Sequence, residues 1–378
     1  MPRYNLERHL SREEALHAPQ GALDFRFCTA CLFAFNAAFV PESMDYAVDY
    51  EASRASSGYF KQYLDQVCEE LSAICAVEGK RVVEVGCGDG QFLLSLRRKH
   101  PFEGYGFDPS AALERIANPF ADVRFIRGYY GPEALPHAPD VVILRHILEH
   151  QGDPHRFLQH VLASAQGSAS VYVEVPAWEW VVDRLQLQAF SYEHCSYYSR
   201  WALQRALEQH GFFLERVAYG FADEYLQYYA SRRARSARLH DGTPGDPEAL
   251  MAKTEAFARM ITDLIEGVRD AVCRRYRRAV LWGAAGKGTT FLNIVGLDDT
   301  TLEYVVDSNP RRHDTFIPCT GQRVVAPEFL ARLRPSQVLL TNPLYRQEIG
   351  AQLQALGLHP ELIAVDDVIH QVARTLSA

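Results

Sequence analysis

The segment Val82-Val83-Glu84-Val85-Gly86-Cys87-Gly88-Asp89-Gly90 sets three glycines at alternate positions directly behind an apolar run. Glycines there let a backbone turn sharply and pass close to a ligand at a strand-to-helix junction. The spacing departs from the dinucleotide pattern Gly-x-Gly-x-x-Gly, and acidic residues flank it, Glu84 before the loop and Asp89 within it. Such a loop suits a ligand that carries positive charge and no pyrophosphate. Asp108, in Gly106-Phe107-Asp108-Pro109, ends the next apolar run, where a carboxylate can accept from a ribose diol.

Proton chemistry has two further sources. Asp140-Val-Val-Ile-Leu-Arg145-His146-Ile-Leu-Glu149-His150 follows an apolar run with a cationic and His/Glu-rich turn. His146 and His150 have no evident third ligand, so no metal is counted among the site residues. Phe190-Ser-Tyr192-Glu193-His194-Cys-Ser-Tyr-Tyr-Ser199 crowds three proton-handling side chains into one turn. Ser199 is the expected cap of a helix starting near Arg200.

The elements that must hold these residues are strands alternating with helices. Apolar runs predict strands at Arg81–Val85, Gly104–Phe107, Val123–Ile126, Val141–Leu144 and Ser168–Val175, with helices over Phe92–Arg98 and Pro154–Ala165. A Gly/Pro/Arg-rich stretch from Ser231 to Pro247 precedes a long helix, about Glu248–Arg277. The alternation then resumes, with strands at Ala279–Trp282, Leu302–Val306, Val338–Thr341 and Leu362–Val365, and helices through Asn293 and near Tyr345–Leu356. The expected fold class is α/β, two Rossmann-like parallel-sheet domains in tandem behind a small N-terminal lid. The expected boundaries are 1–78 for the lid, 79–230 for the first Rossmann-like domain and 231–378 for the linker helix and second domain.

At 378 residues the chain is long enough for two or three domains, and its 48% hydrophobic and 23% charged residues are those of a globular protein. No run is long enough to span a bilayer, and Met1–Leu10 carries charges without an apolar stretch, so a cytoplasmic protein is expected. Eight scattered cysteines are expected as free thiols. A net charge of −8 speaks against a nucleic-acid partner. Arginines cluster at 232–238 and 274–278, and solvated faces explain them better than a phosphate site.

The loop ending in Gly90 and the acidic strand end at Asp108 resemble class I methyltransferases. The whole chain resembles the three-part C-methyltransferases that act on nucleotide-activated deoxysugars. Gly283-Ala-Ala-Gly286-Lys287-Gly288-Thr-Thr-Phe-Leu-Asn293, Val306-Asp-Ser-Asn-Pro310 and Asn342-Pro-Leu-Tyr-Arg-Gln-Glu-Ile349 are similar to that family's C-terminal motifs. The resemblance implies S-adenosylmethionine bound by Glu84, Gly86, Gly88, Gly90, Asp108 and Arg145. It implies His194 as the base that forms an enolate, Glu193 orienting it, and His150 sharing proton handling or enolate stabilisation; His146 and Tyr192, in the same two turns, are further catalytic candidates. Tyr46 or Tyr50 from the lid, Lys287 and Asn342 would meet the acceptor, with Lys287 at its phosphates. The acceptor would be a small molecule, a nucleotide-linked sugar of natural product biosynthesis, and the enzyme a monomer or homodimer with no membrane partner. The family's lid binds zinc through two Cys-x-x-Cys pairs; Cys28 and Cys31 are one pair and cannot complete a tetrahedral site, so zinc is doubtful. Oxygen or nitrogen methylation of a small metabolite is the alternative chemistry, and a non-catalytic ligand sensor the alternative class.

Overall fold

The structure, a computed structural model, describes residues 1–44, 57–232, 239–240 and 245–377. Tyr46 and Tyr50, the lid tyrosines expected at the acceptor, lie outside the described residues. Two compact units emerge, one of residues 24–180 and 194–251, the other of 1–23, 181–193 and 252–378.

The first unit begins with a hairpin of β1 (Phe25–Cys28) and β2 (Phe33–Asn36), with Cys28 and Cys31 at its turn. Helix Gly58–Cys75 follows, capped by the Ser57 side chain, which accepts from the Phe60 N–H. Its buried residues Phe60, Tyr63, Leu64, Val67, Cys68, Leu71 and Cys75 recur at helical spacing, so one stripe faces the core.

Then comes the main sheet: β3 (Arg81–Val85), β4 (Glu103–Asp108), β5 (Val123–Arg127), β6 (Val141–Arg145) and β7 (Ser170–Pro176). The short β8 (Ser196–Tyr198) joins β2 instead, making a separate three-stranded sheet β1-β2-β8. A hairpin of β9 (Phe213–Gly220) and β10 (Tyr225–Ser231), with the two-residue β11 (Leu239–His240), completes the main sheet in the order β11-β9-β10-β7-β6-β3-β4-β5. Strands β3 to β7 run parallel, and β10 lies antiparallel to β7 and β9. Every residue of β6 is buried, as a parallel strand covered on both faces requires.

The order has a functional consequence. From β3 the chain steps outward to β4 and β5, then returns to the other side of β3 for β6. The carboxyl ends of β3 and β6 therefore flank a topological switch point, where open α/β sheets bind ligands. Gly86 follows the first of these strands and His146 the second.

The second unit repeats this logic in an all-parallel sheet. Its strands are β12 (Val280–Trp282), β13 (Tyr304–Val306), β14 (Arg323–Val325), β15 (Gln337–Leu340) and β16 (Glu361–Ala364), ordered β14-β13-β12-β15-β16. Its switch point lies between β12 and β15, so the Gly283 loop and the Thr341-Asn342 turn share it. Residues from the chain's start are built into this unit. The Cys319 N–H donates to the Ala15 carbonyl at 2.7 Å, the Phe316 N–H to His9 at 2.9 Å, and Arg12 pairs with Asp299. Residues 181–193 are held to the same body, with Gln188 Nε2 donating to Asp366 Oδ1 at 2.7 Å and Phe190 stacked on Phe257. The expected strands thus fall within a few residues of the observed ones, and the α/β parallel-sheet class holds.

Candidate active site

The glycine loop is a formed cradle. Gly86, Gly88 and Gly90 all have positive φ, 72°, 54° and 70°. A Cβ on Gly86 would crowd Ile147 and one on Gly90 would crowd Phe125, whereas one on Gly88 would meet no atom within 4 Å. Close packing thus fixes both ends of the loop, and open space lies over its middle. Asp108 ties the loop to the next strand, Oδ2 accepting from the Gly88 N–H at 2.8 Å and Oδ1 from the Ser110 N–H at 2.9 Å and its hydroxyl at 2.5 Å. A carboxylate offers about four lone-pair positions, so one remains for a ligand hydroxyl. Glu84 is 3% exposed, and its Oε2 is buried without a hydrogen-bond partner. Burial, abetted by Asp89 and Asp108 and opposed by Arg145, pushes its carboxyl up to about 8.

These features fit S-adenosylmethionine: an acidic, open-centred cradle for a sulfonium ligand, with Asp108 at the strand end for a ribose. Gly86 to Gly90, Glu84 and Asp108 are the residues that would hold it.

Arg145, expected at the cofactor, is paired with Glu174. Its guanidinium donates to Glu174 Oε1 from Nε at 3.1 Å and Nη2 at 2.5 Å, and lies over the Phe92 ring at 4.2 Å. Glu174, 0% exposed near the end of β7, also accepts from the Tyr63 hydroxyl at 2.5 Å and the Tyr172 hydroxyl at 2.7 Å. Burial alone would raise the Glu174 carboxyl, but Arg145, His146 and Tyr63 hold it well below the usual carboxylate range. Removing either partner of such a buried pair would strand a charge, so Arg145 shapes the switch point from below.

His146 sits in the left-handed region at φ 52°, which turns the chain sharply after β6. Its Nε2 is 3.1 Å from Glu174 Oε1 and its Nδ1 3.4 Å from Glu149 Oε1. Burial disfavours the charged ring, but the two carboxylates outweigh it and raise its pKa.

His150 and His194 are brought together by the docking of β8. The Asn36 N–H donates to the Cys195 carbonyl at 2.9 Å, the Ser196 hydroxyl to the Gln151 carbonyl at 2.9 Å, and the Cys195 thiol to the Glu149 carbonyl at 3.6 Å. The last two bonds clamp the residues after His194 onto the turn that carries His150, and the first ties them to β2. The two rings stand edge to face, 4.9 Å between centroids. The carboxylate gathered with them is Glu149, 1% exposed, within 4.8 Å of a nitrogen of each. Burial would raise the Glu149 carboxyl, but His146, His150 and His194 lower it. Glu193, expected to orient His194, is buried, and its Oε1 accepts the Asn5 N–H at 2.9 Å. The Tyr192 ring occupies the space beside Gly21, where any Cβ would strike it.

Lys287 opens helix Lys287–Val295 behind Gly286. Asn342 spends its Oδ1 on the Leu344 N–H at 3.1 Å, capping the turn after β15. Sequence reasoning passed over Glu174 and Tyr63, and counted Glu149 only as part of a turn. A lone glutamate inside the run Val171-Tyr-Val-Glu174-Val was the available signal. Among the described residues, no third His, Cys, Asp or Glu joins Cys28 and Cys31 in a cluster of metal-binding size.

A glycine cradle and acidic strand ends at a parallel-sheet switch point agree with the families that the sequence matches. Residues 58–217 match the family described as methyltransferase domain, and the chain is an S-adenosylmethionine-dependent methyltransferase. Residues 248–359 match the C-methyltransferase C-terminal domain, so the chain carries a match to a methyltransferase domain followed by a match to this one. It is 26% identical to the C-methyltransferase NovU of Streptomyces niveus, covering 86% of this chain and 81% of that one. Among solved structures it is similar to magnesium protoporphyrin IX methyltransferase from Synechocystis PCC 6803 with bound S-adenosylhomocysteine, at 17% identity over 46% of this chain and 84% of that one, TM-score 0.38. A S-adenosylmethionine-dependent methyltransferase from Aquifex aeolicus matches at 18% identity over 46% of this chain and 97% of that one, TM-score 0.37. Among the described residues no helix is long and apolar enough to cross a membrane.

Proposed function

We propose that this enzyme methylates a carbon alpha to a ketone in a nucleotide-activated deoxysugar. The observation that carries the reading is the His150–His194 pair, 4.9 Å between ring centroids with buried Glu149 beside it. Carbon methylation needs a base poised near neutral pH, which an imidazole supplies. His194 takes the alpha proton, and the electron pair left behind is delocalised onto the ketone oxygen as an enolate. His150 stabilises that oxygen or relays the proton, and Glu149 supports the positive charge that the pair acquires. S-adenosylmethionine, when bound, supplies an electrophilic methyl group and leaves as S-adenosylhomocysteine.

The acceptor class rests on the second glycine loop, and carbon as the methylated atom on the similarity to a C-methyltransferase. Gly286, at φ 34°, is open to space, and Lys287 stands next to it at a helix start, a setting suited to phosphate. The proposed three-part division at 78 and 230 keeps this loop in the acceptor-binding part.

The test is hydrogen exchange. The enzyme with S-adenosylhomocysteine bound, in deuterium oxide, should exchange the alpha proton of a thymidine diphosphate keto-deoxysugar, and His194→Ala should abolish that exchange. Methyl transfer to oxygen or nitrogen with no exchange would overturn the reading.

A further inference from the structure

The trio of Glu149, His150 and His194 has a chemistry that proton transfer does not exhaust. Two imidazoles and one carboxylate are the ligand set of open, three-residue transition-metal sites. One ligand atom from each residue lies within 4.8 Å of the others. Tetrahedral ligands about 2.1 Å from an ion stand about 3.4 Å apart, so modest side-chain rotation closes the set.

The carboxylate supplies the independent observation. Glu149 is 1% exposed, and its Oε2 is buried with no hydrogen-bond partner. Its other oxygen faces His146 Nδ1 at 3.4 Å. A buried anionic oxygen without a donor is costly, and a bound cation relieves that cost. His146 then stands to the ligating carboxylate as an outer-sphere partner, the support that metal-binding carboxylates commonly have. The third residue comes from 44 positions downstream, so only the docking of β8 makes the set.

We propose that Glu149, His150 and His194 form a binding site for one borderline divalent transition metal of the zinc or cobalt class. Nitrogen ligands select such ions over magnesium or calcium. A ring nitrogen that ligates a metal has no lone pair left for a proton, so occupancy and base catalysis exclude each other. That consequence rests on the proposed function; the binding itself does not.

The experiment is titration of the chelator-stripped full-length protein with cobalt(II), followed by its visible ligand-field absorption, with zinc(II) as competitor. We expect one equivalent to bind, with affinity lowered at least about tenfold in His150→Ala, His194→Ala and Glu149→Gln. Cys28→Ser/Cys31→Ser should leave it unchanged. Unaltered S-adenosylhomocysteine affinity in each variant checks that the fold survives. No spectrum and no binding, or binding lost only with the cysteines, would overturn the site. Zinc should also slow methyl transfer, and a chelator restore it. Bound cobalt with faster transfer would keep the site and overturn the assignment of His194 as base.

Discussion

The two glycine loops of this enzyme are built on one plan. Each follows a strand at a sheet's switch point, and each is tied to the next strand by an aspartate. Asp108 accepts from Gly88 at 2.8 Å, and Asp307 accepts from Ala284 at 2.8 Å. Each aspartate's second oxygen takes the backbone N–H two residues on, from Ser110 at 2.9 Å and from Asn309 at 2.8 Å. Asp89 lies in the first loop and Glu84 in the strand before it, while Lys287 follows Gly286 of the second. Packing differs too. A Cβ on Gly288 would fall on the Gly283 carbonyl oxygen, while one on Gly88 would meet nothing. One backbone device thus appears twice with side chains of opposite charge around it, and under the proposed function those side chains choose between the two ligands.

Breaking this comparison should be easiest at its tightest point. Gly288→Ala should destabilise the second unit by about 3 kcal/mol or more, because backbone must move to admit the methyl group. Gly88→Ala should cost only the strain of a left-handed residue, about 1–2 kcal/mol, yet weaken S-adenosylhomocysteine markedly. Urea denaturation and calorimetry together separate the two outcomes. Asp108→Ala should weaken S-adenosylhomocysteine by about 1–3 kcal/mol, the cost of an unpaired ribose. Lys287→Ala should weaken a nucleoside diphosphate about tenfold and leave S-adenosylhomocysteine untouched, the charge-assisted contact being lost at the second loop alone. An equal effect on both ligands would erase the distinction between the loops.

The smallest effect concerns Glu84, raised to about 8 by burial. Because the folded protein holds this proton more tightly than the unfolded chain, its stability falls as pH rises from the ordinary carboxyl range through 8. Glu84→Gln removes that dependence. The melting temperature of the ligand-free variant should exceed that of the native enzyme by a margin that widens toward pH 9.

What the sequence revealed follows from what packing demands. Parallel strands covered on both faces must be continuous apolar runs, and Val141–Arg145 is recognisable for that reason. The β9–β10 hairpin went unseen because its turn carries no glycine or asparagine: Phe221, Ala222 and Asp223 all adopt positive φ. Site residues carried by those strands, such as Gly88 and Asp108, could be placed from local pattern. The place of Glu149 beside His194 could not. Glu193 is the neighbour of His194 in the chain, whereas the carboxylate gathered with both imidazoles, Glu149, comes from a turn 45 residues away. Such pairings are set by strand docking between distant segments.

The interleaving of residues 1–23 and 181–193 with the C-terminal unit bears on how the protein is made. During synthesis the opening segment emerges long before residues 252–378 that must enclose it. The ribosome therefore releases the first unit's sheet able to close while the earliest residues still wait for their partners. A truncated product ending near the long helix would leave that segment exposed, a ready substrate for chaperones and proteases.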